Sequence, residues 1–296
     1  MARVGFIGLG NMGLPMAGNL AKAGHRLTCF DLAARAREAA RAAGLSLSPG
    51  LAATVADAEV VLTMLPAGSD VVAVYGETLG AAPKGTLFID CSTIDVATAR
   101  AAHERAGNAG MLSLDAPVSG GVAGARAATL TFMAGGEEAT FARAEPLLAA
   151  MGRRIVHCGA PGAGQAAKIC NNLILGVSMI AVSEAFVLAD KLGLAADRLF
   201  AVAAASSGQC WSLTNYCPVP GLVPGSPANS DYKPGFATRL MLKDLNLGAA
   251  AANEAKLLLP LARMAQALFS AFAAAGHAEE DFSAIIKEVR SASSAG

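Results

Sequence analysis

Apolar residues in the first 160 positions fall in short, nearly unbroken runs, separated by alanine-rich stretches with helical spacing. The runs at 3–8, 26–31, 59–65, 86–90, 111–116, 129–134 and 154–157 predict strands, several of them apolar enough to be buried on both faces. Residues 12–23, 33–43, 96–106 and 138–151 predict helices. Strands alternating with helices imply an α/β fold built on a doubly wound, mainly parallel sheet. After Gly164 the strand pattern stops. Residues 165–192 predict one long apolar helix ending at Gly193, followed by helical stretches at 197–205, 236–275 and 279–290. A Pro- and Gly-rich loop at 217–235 is long enough to be functional. The expected layout is a sheet domain over 1–163 and an all-helical domain over 164–296, with 291–296 fraying at the end.

Composition narrows the picture. Of 296 residues, 54% are hydrophobic and 16% charged, which predicts apolar surface covered between subunits. The 23 basic and 23 acidic residues cancel, and no basic run is present, so neither nucleic acid nor a membrane surface is an expected partner. The most apolar stretch, 173–182, is expected to be a buried helix, since a bilayer span needs ~20 apolar residues. The N-terminal apolar run breaks at glycine too early for a secretory signal, and the expected compartment is cytoplasmic. Six cysteines without CxxC spacing are expected to be reduced thiols. His25, His103, His157 and His277 form no HxxH or HExxH pattern, so no metal site is expected.

The first candidate chemistry is a GxGxxG, Gly8-Leu-Gly10-Asn11-Met12-Gly13, lying between a predicted strand and a predicted helix. Gly8 allows the tight turn, Gly10 lets the backbone approach a pyrophosphate, and Gly13 lets helix and strand pack closely. The helix N-terminus then offers N–H groups to the anion. Asp31 ends the second strand and suits the adenosine ribose hydroxyls, while repelling a 2′-phosphate. Arg35 is the first cation after it. The expected cofactor is therefore NAD rather than NADP, bound on a Rossmann-like domain. The alternative, an ordinary glycine turn with Asp31 as a helix cap, has the whole strand–turn–helix context against it.

Three further segments carry candidate chemistry. In 115–125, Ser119, Gly120 and Gly121 can present hydroxyl and backbone donors to a carboxylate, although a surface turn reads the same way. In 162–172, Lys168 and Asn172 are four apart and share a helix face. Apolar surroundings would lower the lysine's pKa toward that of a general base, whereas a solvated lysine is the bland alternative. In 243–248, Lys243 brings a second cation, readable equally as half of a Lys243–Asp244 ion pair. Leu65, Pro66 and Thr93 follow strands at the carboxyl ends where open sheets bind ligands.

Together GFIGLGNMGLPMAGNL (5–20), DAPVSGGVAGA (115–125), GAGQAAKICNN (162–172) and KDLNLG (243–248) resemble the β-hydroxyacid dehydrogenase family over nearly the whole chain. SSGQCW (206–211) and NYCPVPG (215–221) resemble its hydroxyisobutyrate-oxidising branch, with Trp211 as a substrate residue, though core packing is the other reading of a lone Trp. The resemblance implies NAD-dependent oxidation of 3-hydroxyisobutyrate to methylmalonate semialdehyde. Lys168 would be catalytic with Asn172 beside the hydroxyl, and Ser119, Gly120 and Gly121 would hold the carboxylate. Lys243 would lie near nicotinamide and substrate, and Leu65, Pro66 and Thr93 would touch the cofactor. It also implies a homodimer or homotetramer. Two other readings stay open: a sibling reductase of tartronate semialdehyde, or another 3-hydroxy acid, separable by substrate rates; and a non-catalytic nucleotide-sensing scaffold, which the presence of Lys168 disfavours.

Overall fold

Eight strands form one sheet: β1 (Arg3–Ile7), β2 (Arg26–Phe30), β3 (Val60–Thr63), β4 (Leu87–Asp90), β5 (Leu112–Asp115), β6 (Val118–Ser119), β7 (Leu130–Gly135) and β8 (Gly152–Gly159). Their order in the computed structural model, which describes residues 1–292, is β2-β1-β3-β4-β5-β7-β6, with β8 also paired to β7. β1 to β5 run parallel, and β7 is antiparallel to β5 and β6. Each apolar run of the sequence becomes a strand. The two-residue β6 is too short to leave a pattern.

Side chains alternate across the sheet because the strand period is two. Phe6, Leu62 and Ile89 join Met16, Leu20 and Leu148 on one face. Their neighbours Ile7, Val61 and Phe88 join Val71, Tyr75 and Ala102 on the other. Both faces are thus covered by helices. Full burial of each such large side chain contributes roughly 1.5–3 kcal/mol. The covering helices are α1 (Gly13–Lys22), α2 (Ala34–Ala42), α3 (Leu51–Val55), α4 (Gly68–Thr78), α5 (Val96–Asn108), α6 (Gly121–Arg126) and α7 (Glu138–Ala149). Sequence pattern misses α3, α4 and α6. In α4 the β-branched Val71, Val72 and Val74 have weak helix propensity, and burial of Val71, Val74 and Tyr75 overrides it.

The chain divides into two units, Met1–Lys168 and Ile169–Gly296. The division falls inside α8 (Ala163–Lys191), a single helix of 29 residues. By length and composition α8 is apolar enough to cross a membrane, and half of its most apolar window is buried in the protein. That lengthens the short apolar stretch expected at 173–182, because Phe186, Val187 and Leu188 continue the apolar character past Ser183 and Glu184.

The second unit continues with α9 (Ala196–Ala204), α10 (Trp211–Thr214), α11 (Thr238–Glu254), α12 (Pro260–Phe272) and α13 (Ile285–Ala292). Met179, Phe186, Met241, Phe269, Phe272, Phe282 and Ile285 form its core. The helix expected over 236–275 is two helices. The first stops where Lys256 turns to φ +56°, and Pro260 opens the second, where its missing N–H costs nothing. Residues 291 and 292 close α13, and the remainder of the expected frayed end, 293–296, lies outside the described residues.

Candidate active site

The register aligns the carboxyl ends of five strands: Ile7 with Phe30 and Thr63, Thr63 with Asp90, and Asp90 with Asp115. The order β2-β1-β3 reverses direction between β1 and β3, so a crevice opens there, the usual ligand position in such sheets. Gly8 occupies it. Its φ is +96°, and a Cβ would stand 2.3 Å from the Met64 carbonyl oxygen, so only glycine fits. A Cβ on Gly13 would meet the Gly8 carbonyl at 1.8 Å, which lets α1 start directly against β1.

Gly10 differs. Its φ is not left-handed, and a Cβ there would meet nothing within 4 Å. The fold does not require glycine at this position, whereas close approach of a pyrophosphate does. Asn11 is exposed beside it, and Met12 caps α1 without a side-chain hydrogen bond. Leu14 N–H donates to the Gly10 carbonyl and Pro15 has no N–H, so an anion here would rely on N–H groups of the glycine loop itself. Asp31 is held rigidly: its carboxylate accepts from Leu9 N–H and Ala33 N–H, each at 2.7 Å. Carboxylate oxygens accept more than one bond, so both can also take ribose hydroxyls. Arg37, not Arg35, is the cation brought to the end of β2; its guanidinium donates to the Asp31 and Leu32 carbonyls. These residues fit a dinucleotide.

The two neighbouring loops are tied together by a group that the sequence reading did not single out. Asp90 is 4% exposed and its Oδ1 accepts from Thr63 Oγ1 (2.7 Å), Ser92 N–H (3.1 Å) and Ser92 Oγ (2.6 Å). Ser92 Oγ in turn accepts from Leu65 N–H at 2.8 Å. Asp90 thereby fixes the starts of the loops that carry Leu65-Pro66 and Thr93. Asp90 Oδ2 has no hydrogen-bond partner. Burial pushes this carboxyl above the usual range, against the hydrogen bonds of Ser92 and Thr63, and the Asp115 charge pushes it the same way. Asp115 is also raised by burial, against the N–H groups of Gly162 (2.7 Å) and Gln165 (2.9 Å) that it accepts. An acid at the last position of a buried strand was the available signal for both.

Ser119 ends β6, and Gly120 (φ +125°) and Gly121 (φ +60°) follow it. Two successive left-handed residues explain the glycine pair and turn the backbone sharply into α6. Lys168, the last residue of the first unit, is only 7% exposed, so the solvated-lysine alternative does not describe it.

In the second unit Asn172 is 1% exposed. Its Nδ2 donates to Asp244 on α11, and its Oδ1 accepts from Asn171. Asp244 therefore orients Asn172, a role that the ion-pair reading of Lys243–Asp244 did not foresee. Lys243 is half-buried on the same helix. Trp211 is 50% exposed and stacks on Tyr216 with ring centroids 4.9 Å apart, so it is not a core residue. Tyr216 donates to Asp281 at 2.8 Å. All six cysteines are free thiols, and burial pushes that of Cys29 up to about 12.

Residues 3–159 match the NAD-binding domain of 6-phosphogluconate dehydrogenase. Residues 162–289 match the NAD-binding domain of NADP-dependent 3-hydroxyisobutyrate dehydrogenase. A probable 3-hydroxyisobutyrate dehydrogenase of Mycobacterium tuberculosis is 53% identical over 98% of each chain. An NAD-dependent L-serine dehydrogenase of Pseudomonas aeruginosa is 45% identical over 97% of each. The Mycobacterium tuberculosis 3-hydroxyisobutyrate dehydrogenase solved with L-serine superposes with a TM-score of 0.95, at 53% identity over 98% of this chain and 99% of that one. With a built dinucleotide loop, the expected sheet and full-length similarity of this order, the chain belongs to the 3-hydroxyisobutyrate dehydrogenase family and is an NAD-dependent hydroxyacid dehydrogenase.

Proposed function

We propose that this enzyme oxidises 3-hydroxyisobutyrate to methylmalonate semialdehyde, reversibly, in the cytoplasm. The observation that carries the reading is the buried Lys168, one helical turn from Asn172, on a chain whose similarity to 3-hydroxyisobutyrate dehydrogenases runs end to end. Bound NAD supplies the acceptor for the hydride that leaves the hydroxyl-bearing carbon. Gly8, Gly10, Asn11, Met12 and Gly13 would hold its pyrophosphate, and Asp31 its ribose. Leu65, Pro66 and Thr93 would flank it. Ser119, Gly120 and Gly121 bind the substrate carboxylate through the hydroxyl and turned backbone. Lys168 Nζ takes the hydroxyl proton or relays it, and Asn172, oriented by Asp244, holds that hydroxyl. Lys243 and Trp211 would be the second unit's substrate residues. Six free thiols fit a reducing compartment.

A second substrate has a specific observation behind it. L-serine is itself a 3-hydroxy acid, a 45% identical relative is an L-serine dehydrogenase, and the solved relative was studied with L-serine. We also propose a homodimer or homotetramer. Along α8 and just past its end, Ile174, Ala181, Ala185, Leu188 and Leu192 are all exposed at successive spacings of seven, four, three and four residues, an apolar stripe suited to a partner helix.

The test follows NADH absorbance with 3-hydroxyisobutyrate, L-serine and glycerate, each with NAD and with NADP. The highest kcat/KM is expected for 3-hydroxyisobutyrate with NAD. Lys168→Ala is expected to lose at least ~100-fold in kcat, the scale of general acid–base catalysis, while still binding NADH. Turnover of that variant near the wild-type rate would overturn the assignment, and a preference for L-serine would establish the second reading.

A further inference from the structure

The side chain of Gln165 is fully buried, three residues before Lys168 on α8. Its Oε1 accepts from Ile94 N–H at 3.1 Å, and its Nε2 donates to the Ser92 carbonyl at 2.8 Å. One amide thus grips the β4–α5 loop on both sides of Thr93. The backbone N–H of the same residue donates to Asp115 Oδ2, and Gly162 N–H donates to Asp115 Oδ1. The two oxygens of Asp115 therefore pin the first turn of α8 to the end of β5. A Cβ on Gly164 would lie 2.2 Å from the Met133 carbonyl, so helix and sheet end are in direct backbone contact there. On its other side the gripped loop is fixed by Ser92 Oγ to Asp90 and to Leu65 N–H.

We propose that Gln165 is a positioning residue that sets the spacing between the Thr93 loop and the helical turn bearing Lys168. A packed methylene chain could fill the same volume. Unlike such a chain, the amide donates to one backbone carbonyl and accepts from a backbone N–H two residues further on. Both partners are buried or nearly so, and an unpaired buried donor or acceptor is strongly unfavourable, so the loop has one register against the helix. Transfer between a hydroxyl carbon and a cofactor needs reacting atoms held within about 3–3.5 Å, and small misplacement lowers rate more than affinity for the distant carboxylate. The inference rests on the proposed role of Lys168 for its effect on rate. Its effect on the loop is independent of that role.

Gln165→Met keeps length and volume and removes both hydrogen bonds. Gln165→Glu keeps the acceptor for Ile94 N–H and, once ionised, sets a second oxygen against the Ser92 carbonyl, so it is assayed at the high-pH end of the enzyme's range. Three readouts on the whole enzyme test the idea: hydrogen exchange of the Ile94 amide without cofactor, NADH affinity by fluorescence, and steady-state kinetics. For the Met variant the Ile94 amide is expected to exchange about tenfold faster or more, with Phe6 and Val61 in the sheet unchanged. Its NADH affinity should weaken about tenfold. Its kcat should fall at least tenfold, while KM for the hydroxy acid stays within about twofold. The Glu variant should lie between it and wild type. Wild-type NADH affinity and kcat in either folded variant would overturn the proposal. If the Met variant does not fold, the Glu variant alone decides by the same criterion. Failure of the wild type to oxidise any 3-hydroxy acid would instead overturn the proposed function, and the exchange and affinity readouts would still judge the brace.

Discussion

Single residues in the dinucleotide loop separate what folding needs from what binding needs. Gly13 lies against backbone that cannot move, whereas Gly10 faces open space. Gly13→Ala is expected to lower stability by about 3 kcal/mol, the upper range for overpacking. Gly10→Ala should keep or slightly raise the melting temperature, since its backbone suits alanine, yet weaken NADH binding at least tenfold. Thermal unfolding and NADH titration of both variants check the contrast, and equal effects on the two readouts would contradict it. Asp90 makes a pH-dependent prediction. Its carboxyl is raised by burial, so its contribution to stability is fully present below the unfolded value of about 4 and is lost as pH rises through the folded value. Asp90→Asn keeps an acceptor for Thr63 and Ser92 without a charge to bury. Its melting temperature relative to wild type should therefore climb as pH rises above about 4, and a flat difference would mean that Asp90 is not disfavoured when ionised.

At the scale of elements, single carboxylates hold loops to the regular structure. In the second unit Asp281 is fully buried and accepts from Tyr216 Oη, Gly235 N–H, Phe236 N–H and both donors of Ser283. It ties the ends of the 217–235 loop to the turn before α13, and through Tyr216 it supports the stacked Trp211. Asp281→Ala leaves several buried donors unpaired, which should cost about 3 kcal/mol or more. Trp211 is the single tryptophan of the chain, so its emission reports the same event. A shift to longer wavelength is expected in the folded variant, and an unchanged spectrum would show that the stack stands without Asp281.

At the scale of the whole molecule, the apolar composition is not all absorbed inside one chain. Ile174 and Leu188 on α8 are 65% and 59% exposed, and Leu192 just past its end is 75% exposed. Leu258, Leu261 and Met264 repeat the situation around the start of α12. Leu188→Glu is expected to reduce the assembly toward monomer in sedimentation at micromolar concentration, without unfolding the chain, because a charge would be buried in the contact. Wild-type protein that sediments as a monomer would remove the basis for that expectation.

The sequence by itself determined the seven main strands, the long helix and the dinucleotide loop, because burial on both faces and glycine at fixed offsets are local signals that survive in any context. It also placed Lys168 in an apolar setting. Only the tertiary structure decided that Asp90 and Asp115 end up side by side, that Gln165 reaches back 71 positions to Ile94, and that Asp244 orients Asn172 across 72. These are pairings of buried polar groups between elements far apart in the chain. Each partner alone reads as an ordinary cap or surface residue. What makes them matter is that packing removes water, leaving each polar atom to find its partner within the protein.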